Sequence, residues 1–573
     1  MRFMVTRVFL VLTLSGSVAF SKPTISANPG VVSAATFVPA GFPNSGVAQG
    51  SIFTLVGSGL GPVNLVEADS FPLPTTLGGT SIKITVGNTS VNAIMLGVTG
   101  GQVAAILPSS TPTGSAKLVL TYNGSASDPI AFQVVKSSFG AFTLNSRGYG
   151  TAVTTNAKTQ LVTLLNSAKP GDTVSVWSTG LGPVSGNEAA GPLPGNLTKL
   201  QLNVWVGGKQ ASVTYAGRAQ CCAGLDQLTI KLPAGVQGCF VPLGVQVGGV
   251  TSTFPSIPIA PNGGTCSDPA GITSALLQKA AGGQNINIAT ILLSRFTANL
   301  ANLPLIGSVA ISEDAGSAFF YGYSAFEFLG SRGVTALNAF GSCSLWQCSG
   351  PTCVPDQQSL SLTGLDAGAS INLTGPNGGM KLVKSSTGNY SANLGGGGIP
   401  GLTDNPPPYL DPGNYTIKGP GGNVVKSFST NLTISSSPIS FQAQQNGSTV
   451  AQCCSLSTAT GGTISRNADL QLSWSGGDPN GYVAIVGTST TDSPQVTGSF
   501  ACLVQNSAGK FTVPSWVLFG MPASGTLSQA GINISNGFLL MGSYPDFTNF
   551  NAPGLDFGFA ASLVLSGTNE EYQ

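Results

Sequence analysis

The sequence predicts an all-β protein of tandem β-sandwiches followed by further β-rich domains, with minimal helix. Three observations lead to this prediction: short apolar or alternating runs separated by Gly, Asn and Pro turns, an internal repeat, and a single short helical pattern. A chain of 573 residues exceeds one core, because single cores stop growing at roughly 250 to 300 residues. We therefore expect about three to five domains.

The internal repeat organises the first part of the chain. Gly50–Pro62 recurs as Gly171–Pro183 in the same register, and both copies end in Gly-Leu-Gly-Pro. Gly allows positive φ and Pro cannot donate a ladder hydrogen bond, so this motif predicts a turn that ends a strand. A phosphate-binding loop would need a following helix, which the sequence does not offer.

The runs between the turns predict the strands of these copies. They have the spacing of a sandwich and include residues 51–56, 81–86, 91–96 and 117–122. The second copy carries about five extra residues before Gln227, and Cys221 and Cys222 fall in this insertion.

Several segments together resemble a known module: Val31–Phe37, the two Gly-Leu-Gly-Pro blocks, Leu73–Gly79, and Tyr215 to Gln227. They are similar to a tandem module of uncharacterised exported proteins from soil bacteria, related to TIG-type immunoglobulin-like domains. The resemblance covers about residues 28 to 260. It implies an extracellular pair of sandwiches with no catalytic residue to carry over. The chain departs from the commoner pattern by placing Cys221 and Cys222 where a Pro-Gly loop often stands.

The N-terminal residues predict export. Arg2 and Arg7 precede an apolar run, residues 8–18, and a small-x-small cleavage site, residues 19–21. The apolar run is shorter than the roughly 20 residues that a spanning helix needs, so we expect a cleaved signal peptide and no transmembrane segment after it. The predicted location is extracellular or at the cell surface.

We predict five segments from these boundaries. They are a signal peptide (1–21), immunoglobulin-like domains 1 (22–143) and 2 (144–262), a central β-rich domain with one short helix at Ser274 to Ala281 (263–435), and a C-terminal sandwich-like domain (436–573).

The composition excludes several functions. With 22 basic and 21 acidic residues, no net charge attracts nucleic acid, and the near-zero charge permits self-association. The chain has no histidine, which excludes Ser-His-Asp and Cys-His catalysis and removes the commonest zinc ligand. We therefore expect no catalytic activity, no cofactor and no metal.

Other motifs have simpler interpretations. Gly396–Gly401 fits a dinucleotide fingerprint, but Pro400 and the prolines at 406–408 forbid the helix it needs. Asp478–Gly481 favours a hairpin turn over a calcium loop, which needs more oxygen ligands. Gly375–Gly378 and Tyr409–Tyr415 also predict hairpin-like turns between apolar runs. Three carboxylate pairs could in principle act in glycoside hydrolysis, but acidic residues are common in turns: Glu67 with Asp69, Glu313 with Asp314, and Asp404 with Asp411.

Ten cysteines in an exported chain favour disulfides. They form three groups: Cys221, Cys222, Cys239 and Cys266; Cys343, Cys348 and Cys353; and Cys453, Cys454 and Cys502. Because the second and third groups each contain an odd number of cysteines, full pairing needs a disulfide between these two groups, or one disulfide from each of them to the first group. Adjacent cysteines seldom have the geometry of a disulfide, so Cys221 and Cys222 are each expected to bond elsewhere. The Cys348–Cys353 spacing also suits zinc, but disulfides are favoured.

Aromatic residues supply the candidate contacts. Phe319, Tyr321 and Tyr323 alternate along one presumed strand, a pattern that favours the core but also suits stacking on sugar rings or a partner protein. Trp346 lies in a turn-rich segment between Cys343 and Cys348, where we expect it to be exposed.

These observations predict a secreted or cell-surface structural or interaction protein whose partner is an extracellular protein or polysaccharide. The alternative is a carbohydrate-binding protein that uses Trp346 or Tyr321. A glycoside hydrolase that relies on carboxylates alone ranks third.

Overall fold

The fold is described from a computed structural model. The structure describes residues 22–197, 200–267, 272–303, 307–330, 340–350, 362–398, 405–434, 438–454, 461–529, 532–544 and 548–573. Strand accounts for 54% of the residues and helix for 4%, so the chain is all-β with minimal helix, as predicted. The predicted signal peptide, Cys353 and Asp404 lie outside the described residues.

The first sandwich is formed by thirteen strands in two sheets. One sheet has the order β1-β4-β10-β9-β5 with β2 beside β4, and the other has the order β3-β13-β11-β7-β6 with β8 and β12 at its sides. Inward side chains such as Phe53, Ile84 and Leu118 fill the space between the sheets. The strands are β1 (Thr24–Ile25), β2 (Val31–Ser33), β3 (Val47–Ala48), β4 (Ile52–Ser58), β5 (Val66–Glu67), β6 (Thr76–Leu77), β7 (Thr80–Val86), β8 (Thr89–Asn92), β9 (Ile94–Val98), β10 (Gln102–Ile106), β11 (Gly114–Tyr122), β12 (Ser125–Ala126) and β13 (Ile130–Val135).

The second sandwich repeats this arrangement. Its sheets have the orders β14-β16-β21-β20-β17, with β15 beside β16, and β19-β18-β22-β23, with β24 beside β22. Val176, Leu228 and Val245 belong to its core. The strands are β14 (Gly140–Ala141), β15 (Thr154–Asn156), β16 (Thr173–Thr179), β17 (Gly195–Asn196), β18 (Leu202–Val206), β19 (Lys209–Gln210), β20 (Ser212–Arg218), β21 (Asp226–Lys231), β22 (Gly238–Val247), β23 (Val250–Thr251) and β24 (Ser256–Ile259).

The repeat in the sequence corresponds to equivalent strands. β4-β10-β9 of the first sandwich matches β16-β21-β20 of the second, and β11-β7 matches β22-β18. Each Gly-Leu-Gly-Pro motif follows directly on its strand, with Gly59 at φ 65° and Gly180 at φ 92°, so both are turns as predicted. The run 91–96 is not one strand, because the chain crosses from the β7 sheet to the β10 sheet at Ala93, between β8 and β9.

The predicted helix begins and ends where the sequence indicated. Helix α1 (Ser274–Ala281) has the Thr273 hydroxyl as its N-cap, which accepts the Leu276 amide, and it buries Leu276, Leu277 and Ala280. These side chains pack with Cys239 and Phe240 of the second sandwich. The helix therefore joins the second sandwich to the strands that follow it.

The strands of the central region follow this helix. They include an unusually long hairpin, β25 and β26, and the short helix α2. The elements are β25 (Ile286–Leu303), β26 (Gly307–Tyr323), α2 (Ala325–Gly330), β27 (Ser342–Ser349), β28 (Thr363–Gly364), β29 (Ser370–Gly375), β30 (Gly378–Ser386), β31 (Asn389–Gly396), β32 (Gly413–Gly419) and β33 (Phe428–Ile434).

The C-terminal region adds strands to the central ones and also forms its own sheet. Its elements are β34 (Ile439–Gln445), β35 (Ser448–Cys453), β36 (Thr463–Ile464), β37 (Leu470–Gly476), β38 (Tyr482–Thr490), β39 (Val496–Gln505), a 3₁₀ turn (Asn506–Ala508), β40 (Lys510–Val513), α3 (Ser515–Leu518), β41 (Thr526–Gln529), β42 (Ile532–Ser535), β43 (Gly537–Tyr544), β44 (Thr548–Phe550), β45 (Phe557–Asn569) and β46 (Glu571–Tyr572).

One sheet of fourteen strands runs through both regions. Its order is β27-β39-β38-β43-β45-β25-β26-β31-β30-β29-β32-β33, with β28 beside β26 and β44 beside β45. Strand β45 pairs in parallel with β25 from Ile288↔Phe557 to Asn299↔Thr568. The separate sheet β35-β34-β37-β40 shares a core with the β38–β39 end of the large sheet. Strands from both sides of the predicted boundary at 435/436 are thus hydrogen-bonded in one sheet.

Two predicted turns have different surroundings from those expected. Asp478–Gly481 connects β37 to β38, which lie in different sheets, so the turn is not a hairpin. Residues 409–412 lead into β32 without a strand before them, and the Tyr415 hydroxyl holds this loop by donating to the Asp411 carbonyl at 2.7 Å. The turn between β29 and β30 is a hairpin as predicted.

Within the part of the chain that the structure describes, no helix has the length and apolar character needed to cross a membrane.

Candidate functional site

The contact between the first and second sandwiches contains a buried charge network, which we call the junction. Its charged members are Arg218, Asp226 and Glu188, exposed by only 1%, 0% and 6%. Burial on this scale is unusual in a chain of which 8% is charged, because an ionised group leaves water at a high cost unless it is paired. The junction therefore holds three charges in one buried network, with each charge constrained by its partners.

Arg218 is the centre of the junction. Its guanidinium donates to Asp226 Oδ1, to the Gly50 carbonyl of the first sandwich at 2.8 Å, and to the Gly182 carbonyl of the second at 2.9 Å. Gly50 and Gly182 both belong to the repeated motif. The Arg218 side chain thus hydrogen-bonds to both copies of that motif.

The two carboxylates complete the network. Asp226 accepts the Leu181 amide at 2.8 Å, and Glu188 accepts the amide and the hydroxyl of Ser109 at 2.7 and 2.9 Å. Ser109 lies in the first sandwich and Glu188 in the second, so this is a second link across the junction. Burial raises the pKa of Asp226, against the opposing effects of the Arg218 charge and the Leu181 amide.

Regions that are far apart along the chain also contact each other. Asn44 of the first sandwich exchanges two side-chain hydrogen bonds of 2.9 Å with Gln347 of β27. Trp205 of the second sandwich stacks on Trp516 of α3, with ring centroids 4.4 Å apart and planes at 10°. These contacts fix the first sandwich against the central region and the second sandwich against the C-terminal region, so the domains do not form a linear chain of separate units.

A second candidate surface lies on the long hairpin and β45. Side chains in register form two rows across the strands, Phe557–Ile288–Tyr321 and Phe559–Thr290–Phe319. Phe319 and Tyr321 stack with centroids 6.3 Å apart, and Phe557 and Phe559 with centroids 6.2 Å apart. We call these four rings the aromatic face.

The aromatic face is turned away from the core of the sheet. Phe320, between Phe319 and Tyr321, is fully buried in that core, because successive strand residues point to opposite sides. Phe319, Tyr321 and Phe557 are half-buried and Phe559 is buried, and on this side of the sheet Tyr321 and Phe557 pack against the cluster around α1. The Tyr321 hydroxyl donates to Asn389 Oδ1. Strands lie about 4.8 Å apart, so the rings on β26 and β45 are separated by about 10 Å across β25.

The structure separates the three predicted contact residues. Tyr321 belongs to the aromatic face. Tyr323 is 3% exposed and packs with α1 and Phe328, so it is a core residue and cannot be reached by a partner. Trp346 is half-buried in the middle of strand β27, opposite Ser499. The turn-rich, exposed position that we expected for it is therefore a strand position.

The cysteines differ from the expectation in one respect. Adjacent Cys221 and Cys222 are bonded to each other, as are Cys453 and Cys454, although we expected Cys221 and Cys222 to bond elsewhere. Cys239–Cys266 and Cys343–Cys502 are the other described pairs, and the latter links the two odd groups. Cys348 is also disulfide-bonded.

Of the described carboxylates that suggested hydrolysis, Glu313 and Asp314 do not face each other as such a site requires. Glu313 is exposed, whereas Asp314 points to the opposite side of β26 and receives two hydrogen bonds from Arg295 at 2.7 and 2.8 Å. Glu67 and Asp69 are exposed. Asp478 accepts the Asn480 amide at 2.9 Å, which is a local turn contact. Among the described residues, no group of three or more Cys, Asp or Glu side chains could hold a metal ion.

Sequence reasoning missed Arg218 and Glu188. The available signal was that they stand almost alone as charges in apolar surroundings, with Arg218 directly before the Cys221–Cys222 insertion. An isolated charge of this kind in a charge-poor chain is a candidate for a buried ion pair.

Comparisons with known proteins assign no family. No family model and no curated protein matches the chain. Similar solved structures include a tetra-tandem repeat of the extending region of a large adhesion protein, at 12% identity over 96% of this chain and 99% of that one, with a TM-score of 0.12. The glycan-utilisation protein SGBP-B of Bacteroides ovatus, in complex with a mixed-linkage heptasaccharide, is 11% identical over 83% and 97%, with a TM-score of 0.13. The ectodomain of mouse nectin-like molecule 4 is 8% identical over 68% and 94%, with a TM-score of 0.13. These likenesses are too distant to assign a function.

Proposed function

We propose that this chain is an exported structural and interaction protein, without catalytic activity, whose β-domains are locked together into one scaffold at the cell surface or outside the cell. The junction is the observation that supports the proposal most directly. The contact resists opening, because separation of the sandwiches would take from Arg218 and Glu188, two buried charges of the second sandwich, their hydrogen-bond partners in the first, Gly50 and Ser109.

The wider packing also supports a scaffold. The first sandwich contacts the central region through Asn44 with Gln347, and the second contacts the C-terminal region through Trp205 with Trp516. Disulfides add cross-links that suit an oxidising compartment. The lack of histidine leaves the chain with few groups that transfer protons near neutral pH.

Cell fractionation of the native host, followed by identification of what co-purifies, tests this proposal. We expect the chain outside the cytoplasm, with its disulfides formed and in a complex with an extracellular protein or polysaccharide. Recovery of the chain as a cytoplasmic protein with free thiols, or turnover of any substrate at an enzymatic rate, would refute it.

The aromatic face supports a second candidate function, the binding of a neutral polysaccharide. Its uncharged rings form two stacked pairs about 10 Å apart across β25, and the polar side chains of Asn389 and Ser386 lie beside Tyr321. Affinity electrophoresis in gels that contain neutral polysaccharides tests this function. We expect retardation of the wild type that is lost in Phe319→Ala and Tyr321→Ala.

The matched control is Phe71→Ala, which removes an exposed ring, 42% accessible, from the first sandwich. Trp346→Ala extends the test to the remaining predicted contact residue. Equal retardation of Phe319→Ala, Tyr321→Ala and wild type would exclude the aromatic face as a glycan site.

A further inference from the structure

The loop of residues 219–225, which carries the Cys221–Cys222 disulfide, lies in the contact between the two sandwiches, beside the junction. Ala223 is buried against Leu73, Ile94 and Ile106 of the first sandwich. Gly224 lies so close that a β-carbon there would be 2.8 Å from Ile106 and 2.9 Å from Ile52. The inserted loop of the second sandwich therefore packs directly against the first sandwich.

A relay of hydrogen bonds connects this loop to the first strand of the repeat. The Thr179 hydroxyl donates to the Gly224 carbonyl at 2.8 Å and accepts the Ile52 amide at 2.9 Å. The loop is closed at its base by the Ala219 amide, which donates to the Leu225 carbonyl at 2.9 Å. The Gly224 carbonyl therefore orients the Thr179 hydroxyl whose oxygen accepts the Ile52 amide.

The disulfide constrains the loop at the point where it turns into the junction. A bond between adjacent residues closes a small ring, which removes most of the torsional freedom of the peptide between them. Arg218 and Asp226 flank the same loop as paired residues of β20 and β21, so the loop begins and ends at members of the junction.

Cys221–Cys222 is also the most accessible of the four disulfides that lie wholly within the described residues. Neither of its residues is buried, whereas each of the other three has at least one buried partner: Cys239 with Cys266, Cys343 with Cys502, and Cys453 with Cys454. Thiol exchange requires access to a sulfur, so a reductant reaches this bond first.

We propose that Cys221–Cys222 is a reduction-sensitive clamp on the contact between the two sandwiches. A dithiol supplies two electrons and two protons, the bond between the sulfurs breaks, two thiols form, and the dithiol becomes a disulfide. The freed loop withdraws Gly224 from Thr179, and the junction loosens. This goes beyond the proposed scaffold function, since it makes the rigidity of the scaffold respond to the redox state outside the cell.

Limited reduction of the full chain with dithiothreitol tests the clamp. Alkylation and peptide mass mapping should find Cys221 and Cys222 labelled before any other cysteine. At that dose, hydrogen–deuterium exchange at the Ile52 and Leu181 amides should accelerate about five- to tenfold, which is the effect of opening so short a cross-linked loop. The Gly171 amide, bonded to Leu232 far from the loop, is the internal control and should not change.

The double variant Cys221→Ser with Cys222→Ser should exchange as fast as the reduced wild type and should not respond to dithiothreitol. The matched control is Cys239→Ser with Cys266→Ser, which should keep the slow exchange at Ile52 and Leu181. If another disulfide is reduced first, or if reduction of Cys221–Cys222 leaves exchange at Ile52 and Leu181 unchanged, the clamp is refuted. The order of reduction is measured on the native chain, so a poorly folding variant does not prevent the test.

Discussion

Glu570 should make the stability of the C-terminal region depend on pH. Its side chain is almost fully buried, at 1% exposure, directly after β45. Its carboxyl contacts the Thr568 hydroxyl at 2.5 Å and accepts the Gly462 amide at 2.8 Å, and both partners are uncharged. Burial raises the pKa of Glu570 from 4.5 to about 8. The folded chain therefore holds this proton at pH values where the unfolded chain has lost it.

The direction of the effect follows from this difference in proton binding. Below pH 4.5 the carboxyl is protonated in both states, so it adds no pH dependence. Between pH 4.5 and about 8 only the folded state binds the proton, and the free energy of unfolding falls as pH rises. At about 1.4 kcal/mol per pH unit, the total loss amounts to about 5 kcal/mol. Above about pH 8 both states are ionised and the dependence levels off.

The substitution Glu570→Gln imitates the protonated side chain and isolates this contribution. Thermal unfolding followed by near-ultraviolet circular dichroism between pH 4.5 and 8.5 should show a falling melting temperature for the wild type and a flatter profile for Glu570→Gln. Few other groups titrate in this range because the chain has no histidine. Glu571→Gln, at the exposed neighbouring position, should keep the wild-type slope. A Glu570→Gln profile as steep as that of the wild type would refute the reasoning.

Three further substitutions test the packing of the chain. Arg218→Met should cost about 3 to 5 kcal/mol in urea unfolding, because Asp226 stays buried without its cation; an unchanged midpoint would contradict the junction. Trp516→Ala should cost about 3 to 5 kcal/mol and change the fluorescence of Trp205, its stacking partner; wild-type emission and stability would contradict that contact. Thr273→Ala should cost about 1 kcal/mol and speed amide exchange in α1, whereas unaltered protection there would exclude the cap.

The parts of the fold that follow local rules could be predicted from the sequence. The tandem sandwiches, helix α1 and the turn between β29 and β30 depend on periodicity, capping and turn residues within a few positions of each other. The Gly-Leu-Gly-Pro turns belong to the same class, since the conformation of Gly59 and Gly180 is decided locally.

The pairing of distant strands could not be predicted in this way. An apolar run indicates a strand but does not identify its neighbour, so nothing in residues 557–569 pointed to β25, which lies more than 250 positions earlier in the chain. The same limit explains Trp346. Its surroundings contain turn-forming residues, but its pairing with β39 holds it in a strand.

The candidate sites were predicted only in part. Phe319, Tyr321 and Tyr323 lie on the same side of β26, and the sequence could not show that α1 and Phe328 cover this side at Tyr323 and leave Tyr321 half-buried. Arg218 was missed because its partners, Gly50 and Gly182, contribute carbonyl groups that any residue could supply. The disulfide between Cys221 and Cys222 was not predicted, because adjacent cysteines seldom have the geometry of a disulfide, whereas these two do.

The position of β45 imposes an order on how the molecule is assembled. All strands of the two repeated sandwiches lie between residues 24 and 259, so each can form as soon as its own segment has emerged from the ribosome or the translocation pore. Strands β25 and β43 are flanked by β45 on one side, and that edge stays open until residues 557–569 arrive. Synthesis or translocation that stalls before this point would leave two long unpaired edges, which are templates for aggregation.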